Sequence, residues 1–137
     1  MRNKTQNTIW LMSGLLLAAT LWAHHSISAE FDTSKTFTVT GTLTKIEWVN
    51  PHAYVYLDSK DDKGVVTSYS FETGPPGNLR RAGVLRTMFN VGDTVTVDAF
   101  AAKDGSQHLG LVKAYHFADG RTIIIGRDPA DVEKANK

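Results

Sequence analysis

The 137-residue chain is 42% hydrophobic and 21% charged, contains no cysteine and has a formal charge of +1. These values exclude a disordered, collagen-like, disulfide-stapled or multi-span membrane protein and fit one globular domain. They also lack the strong basic excess that a nucleic-acid surface needs.

Met1 to Thr8 is polar and positive through Arg2 and Lys4, and an uncharged apolar run continues from Ile9 to Ala23. The run falls short of the ~20 apolar residues that span a bilayer. Ser13, Gly14 and Thr20 interrupt it, and it ends on alanine. That is the layout of a secretory signal peptide over residues 1–23, cleaved after Ala23. Without Arg2 and Lys4 the 15 basic residues become 13 against 14 acidic, a balance of −1. The expectation is a soluble periplasmic protein with no membrane attachment after cleavage and no nucleic-acid partner. A cysteine-free chain suits an oxidising compartment.

Residues 24–34 are read as an arm, 35–126 as the folded domain and 127–137 as a loose polar tail. Strand patterns dominate the domain. Over Lys35 to Trp48, Phe37, Val39 and Leu43 share one parity, whereas Ile46 and Trp48 take the other. A phase flip inside one long strand predicts a β-bulge. Pro51 ends pairing, and Ala53 to Asp58 resumes the alternation. Lys60-Asp61-Asp62-Lys63-Gly64 is a turn, and Val65 to Phe71 makes a third strand. The breaker run Gly74-Pro75-Pro76-Gly77 comes next, after which Asn78 is expected to cap a short helix over Leu79 to Ala82, stopped by Gly83. Thr94 to Phe100 and Gln107 to Phe117 are further strands, and Asp119-Gly120 predicts a hairpin returning through Thr122 to Ile125. Three strands, a short helix between strands three and four, then two or three strands is the order of an all-β, OB-fold-like small barrel of five to six strands.

Several stretches resemble a family of small uncharacterised exported proteins of Gram-negative bacteria, grouped as a domain of unknown function. They are His24-His25-Ser26 with Glu30-Phe31-Asp32, the run from Gly41 to His52 ending in Trp48-Val49-Asn50-Pro51-His52, Phe71-Glu72, Leu79 to Gly83, Val91-Gly92-Asp93 and Ala102 to Ser106. The chain departs from that pattern at Val84, where the resemblance leads one to expect tryptophan. The resemblance implies export and one small β domain, and it implies no activity.

The sharpest chemical feature is the expected mature terminus. Cleavage after Ala23 leaves His24 first, so its α-amine and Nδ1 can chelate one divalent ion while His25 adds a second imidazole. His52, beyond Asn50-Pro51, is the natural third ligand. Amine and imidazole nitrogens suit copper first and also zinc. The competing expectation is a metal-free module that takes a peptide, saccharide or protein partner on an aromatic face. Trp48, Asn50, Tyr54, Tyr56, Glu72, Arg80 and Arg81 are the candidates for that face. Glu72 is expected to pair with Arg80 or Arg81, and His108 and His116 are expected at the surface. No catalytic constellation stands out, so a binding protein is expected, not an enzyme.

Overall fold

A computed structural model of the chain describes residues 27–126. The expected leader, His24, His25 and the expected tail lie outside the described residues. The elements run α1 (Ile27–Glu30), β1 (Phe31–Glu47), β2 (Tyr54–Lys60), β3 (Val66–Glu72), α2 (Pro76–Arg81), a 3-10 turn (Arg86–Met88), β4 (Thr94–Ala102), β5 (Leu109–Phe117) and β6 (Thr122–Ile124). The sheet order is β3-β2-β1-β4-β5-β6, and β3 also pairs with β5. That last pairing, parallel through Ser70↔Leu109 to Glu72↔Leu111, closes five strands into a barrel-like ring. β6 hangs on the outside of β5. The protein is thus mostly β, with the short helix between the third and fourth strands.

β1 forms the spine because it pairs with β4 along most of its length and with β2 at its far end. Its register against β2 slips between Leu43 and Lys45, where the parity flip predicts a bulge. The extra residue, Thr44, turns its hydroxyl to the Tyr56 carbonyl at 3.2 Å. Gly41 sits just before this bend. A Cβ there would lie 2.6 Å from the Asp58 carbonyl oxygen, so a side chain would push β2 away. Inward-facing Val39, Leu43, Val55, Leu57, Phe71, Val95, Val97 and Val112 fill the ring. Burial of each such side chain stabilises the fold by about 1.5–3 kcal/mol before conformational entropy is counted.

Two local readings are corrected. The helix starts at Pro76 and not at Leu79, with Pro75 as its cap residue. Proline fits a first helical position because its missing N–H would have no intrahelical partner there. Asn78 therefore lies inside the helix, where its Oδ1 accepts from Arg81 Nη2. Gly83, at φ +81°, is the expected left-handed stop. The first strand also begins at Phe31, earlier than Lys35. Phe31 and Asp32 pair with Ala102 and Ala101 before the register slips toward Thr36. Phe31 packs with Phe100 and Leu111 in a small cluster apart from the main core. Phe100 has the opposite parity to Val97 and Ala99, so this cluster lies on the outer side of the ring. The start of the chain's described part is thereby seated across the ring's wall.

Candidate functional site

β2 and β3 form a hairpin whose register sets Tyr54 opposite Glu72. Beyond the ladder, Thr73 N–H donates to the Ala53 carbonyl at 2.9 Å, which holds the residue after His52 beside the end of β3. The Asn50–Pro51 peptide leading into it is cis. The strand register and the Thr73–Ala53 hydrogen bond bring three side chains together. His52 Nδ1 lies 2.5 Å from Glu72 Oε1, and the Tyr54 hydroxyl donates to Glu72 Oε2 at 2.9 Å. Glu72 is one of two buried polar residues among those described, at 4% exposure. Tyr54 satisfies Oε2, whereas Oε1 is buried with His52 Nδ1 as its charge partner and no hydrogen bond of good geometry.

The cover over this group comes from the start of the described chain. Ala29, Glu30 and Phe31 join Tyr54 and Glu72 around a cavity of about 400 Å³ that also touches Lys103. Burial, then the Glu72 bond, pushes the Tyr54 phenol well above its ordinary value, with Glu30 adding to the rise. The His52 side chain keeps 26% of its surface exposed. Its Nε2 has no hydrogen-bond partner among the described residues. An imidazole fixed through Nδ1 by a carboxylate, with Nε2 open, is the orientation that metal-binding histidines take.

The other expected face residues separate into two groups. Tyr56 stays beside Tyr54, with ring centroids 6.5 Å apart. Its hydroxyl donates to Glu47 Oε2 at 2.8 Å, and Glu47 also holds Lys45. Lys45, then Tyr56, lowers the Glu47 carboxyl below its usual range. Trp48, Asn50 and Arg80 instead gather around a second cavity near α2. Trp48 packs on the core through Phe89, with centroids 6.1 Å apart. Arg81 is in neither group. The expected pairing of Glu72 with Arg80 or Arg81 does not occur, because strand register delivers His52 and Tyr54 to the carboxylate first. Counting outward from the Lys60–Val66 end of the hairpin would find the Tyr54–Glu72 pair.

His116 is at the surface but is not idle. Its Nε2 meets Asp98 Oδ2 at 2.9 Å, its Nδ1 lies 3.1 Å from the Thr122 hydroxyl, and Thr38 donates to Asp98 Oδ1 at 2.6 Å. The Thr38 hydrogen bond, then His116, lowers the Asp98 carboxyl. This network links β1, β4, β5 and β6 on the outer surface. His108 stands edge-on to Tyr69, with centroids 5.2 Å apart.

Among the described residues, no group of three His, Asp or Glu side chains is placed to hold a metal ion. Of the expected ligands His24, His25 and His52, only His52 is among them. No helix among those residues is long and apolar enough to cross a membrane.

Residues 14–112 match a family of unknown function, DUF6152. The chain belongs to that family. The matched span runs from residue 14 through β1 to β4 and into the start of β5. It therefore includes the His52–Glu72–Tyr54 group. Neither a curated protein nor a solved structure matches the chain.

Proposed function

We propose that this DUF6152 member is exported to the periplasm of a Gram-negative bacterium, where it binds a divalent metal, copper first and zinc second. The ligands are the His24 α-amine and Nδ1 together with the imidazoles of His25 and His52. The observation that supports this reading is the contact of buried Glu72 Oε1 with His52 Nδ1 at 2.5 Å, while His52 Nε2 has no hydrogen-bond partner among the described residues. The seating of Ala29 and Glu30 beside Tyr54 and Glu72 supports it further. His24 lies six positions before Glu30, a reach of at most about 22 Å. Imidazole and amine donors favour copper over zinc by intrinsic affinity. The free α-amine has a pKa near roughly 7.7–8.0, so affinity rises with pH through that range as the proton is displaced.

The test is calorimetric titration of copper(II) into protein secreted and processed by a Gram-negative host, beside a version with one extra residue before His24. Mass spectrometry of the same material reports the cleavage position. Tight stoichiometric binding by the first and marked weakening in the second are expected, with His52→Ala weakening it as well. Equal weak binding by all three proteins overturns the reading.

A further inference from the structure

The cavity beside α2 has an apolar and a polar side. Trp48, Pro76, Val84 and Leu85 give it an apolar wall, while Asn50, Arg80 and Arg86 give it a polar one. Its volume is about 320 Å³, within the size range of small-molecule sites. Two guanidinium groups line it and no carboxylate does, in a chain whose acidic and basic residues are nearly balanced. The two arginines are in different states. Arg86 Nη1 donates to the Phe89 carbonyl at 3.1 Å, which fixes its planar head. The Arg80 guanidinium has no hydrogen-bond or ion-pair partner among the described residues, whereas its neighbour Arg81 is held by Asn78. Val84, a buried member of the main core, joins the cavity's apolar wall.

We infer that this cavity is a binding site for a small aromatic carboxylate, its ring against Trp48 and its carboxylate on Arg80. A guanidinium offers a carboxylate two parallel N–H donors. Asn50 can add a further donor, and the indole with Val84 and Leu85 provides the surface that a flat apolar body needs. A purely inorganic anion would leave that apolar wall unused, and a neutral ring would make no use of the Arg80 guanidinium. The site uses none of His24, His25, His52 or Glu72, so it stands or falls apart from the metal reading.

The chain has three tryptophans, Trp10, Trp22 and Trp48. Full-length protein carrying Trp10→Phe and Trp22→Phe therefore has Trp48 as its sole indole, a reporter inside the cavity. Titrated with benzoate, this protein should show a saturable change in Trp48 emission, with no such change for benzamide, acetate or inorganic phosphate at the same concentrations. Arg80→Gln should weaken benzoate by about tenfold or more, the loss of a bidentate charged contact, and Arg81→Gln should leave it unchanged. Both arginines are exposed, and circular dichroism of each variant checks that the fold is retained. The inference is overturned by an absent benzoate response, by an equal response to benzamide, acetate or phosphate, or by an Arg80→Gln protein that binds like its parent.

Discussion

Two Tyr–Glu–base groups stand side by side on the same face of the β1-β2-β3 sheet. In one, Tyr56 and Lys45 hold Glu47; in the other, Tyr54 and His52 hold Glu72. The covalent parts are nearly the same, and so are the phenol–carboxylate distances of 2.8 and 2.9 Å. Cover separates them. The Glu47 side chain is 36% exposed and the Glu72 side chain 6%. Water competes for every bond in the first group, so its net worth is small. In the second, Glu72 is buried in the wall of the cavity beside Phe31, and a bond lost there leaves a polar atom with little access to water. The same chemistry is a surface decoration in one place and a rigid mount in the other.

The largest test of this contrast is removal of the cover. Phe31→Ala deletes a ring that is 2% exposed and should cost about 3–5 kcal/mol in urea unfolding, in the range for buried phenylalanine. Glu72→Ala should come next, at about 2–4 kcal/mol, because it strands His52 Nδ1 and the Tyr54 hydroxyl. Glu47→Ala should leave the urea midpoint within error. Combining Phe31→Ala with Glu72→Ala should cost clearly less than the two single changes added together, since an opened site readmits water. Strict additivity would break the contrast. Tyr54→Phe should cost about 1 kcal/mol, one buried hydrogen bond, and Tyr56→Phe distinctly less.

The last expected effect is alkaline. In the folded protein the Tyr54 phenol is held protonated above the ordinary 10.0 by burial and by Glu72. Unfolding lets it ionise near that ordinary value. Its contribution is therefore intact below pH 10.0 and is lost as pH climbs beyond it. Buried Tyr115 is shifted in the same direction by its burial. Tyr54→Phe should remove part, and not all, of the fall in urea midpoint between about pH 9 and about pH 11. An unchanged fall would show that the Tyr54 hydroxyl is not covered.

Much of the ring is legible along the chain, and the site is legible only in pieces. Side-chain parity places the bulge between Leu43 and Ile46, because burial inside the ring imposes a period of two on Phe37, Val39 and Leu43, and the register slip narrows it to Thr44. The start of α2 is harder to place, because Pro75-Pro76 is a breaker inside a helix and a favourable opening at its first turn. The β3–β5 closure leaves no local mark, being a parallel contact between segments joined by more than thirty residues. The partner of Glu72 is hidden for a related reason. The charges of Arg80 and Arg81 suggest a pairing, but exposed charges are satisfied by water, whereas hairpin register is fixed by the buried faces of Val55, Leu57 and Phe71. Trp48, Asn50 and Arg80, expected on one aromatic face with Tyr54 and Tyr56, meet instead around a separate cavity. The phase flip at the bulge turns Trp48 toward Phe89 and away from the two tyrosines.

Gly41 gives the spine strand a further property. Its missing side chain lets the Asp58 carbonyl lie where a Cβ would otherwise be. The spacing between β1 and β2 at that crossing is thus set by an omission, like the clearance left in a joint. Even alanine at this position would wedge β2 away from β1 beside the Lys60–Val66 turn. The other end of the hairpin, where Tyr54 faces Glu72, is held by β1 and β5 and would have to absorb the displacement along β2. A methyl group placed remote from His52 should therefore detune the imidazole's aim while leaving every residue around it chemically intact.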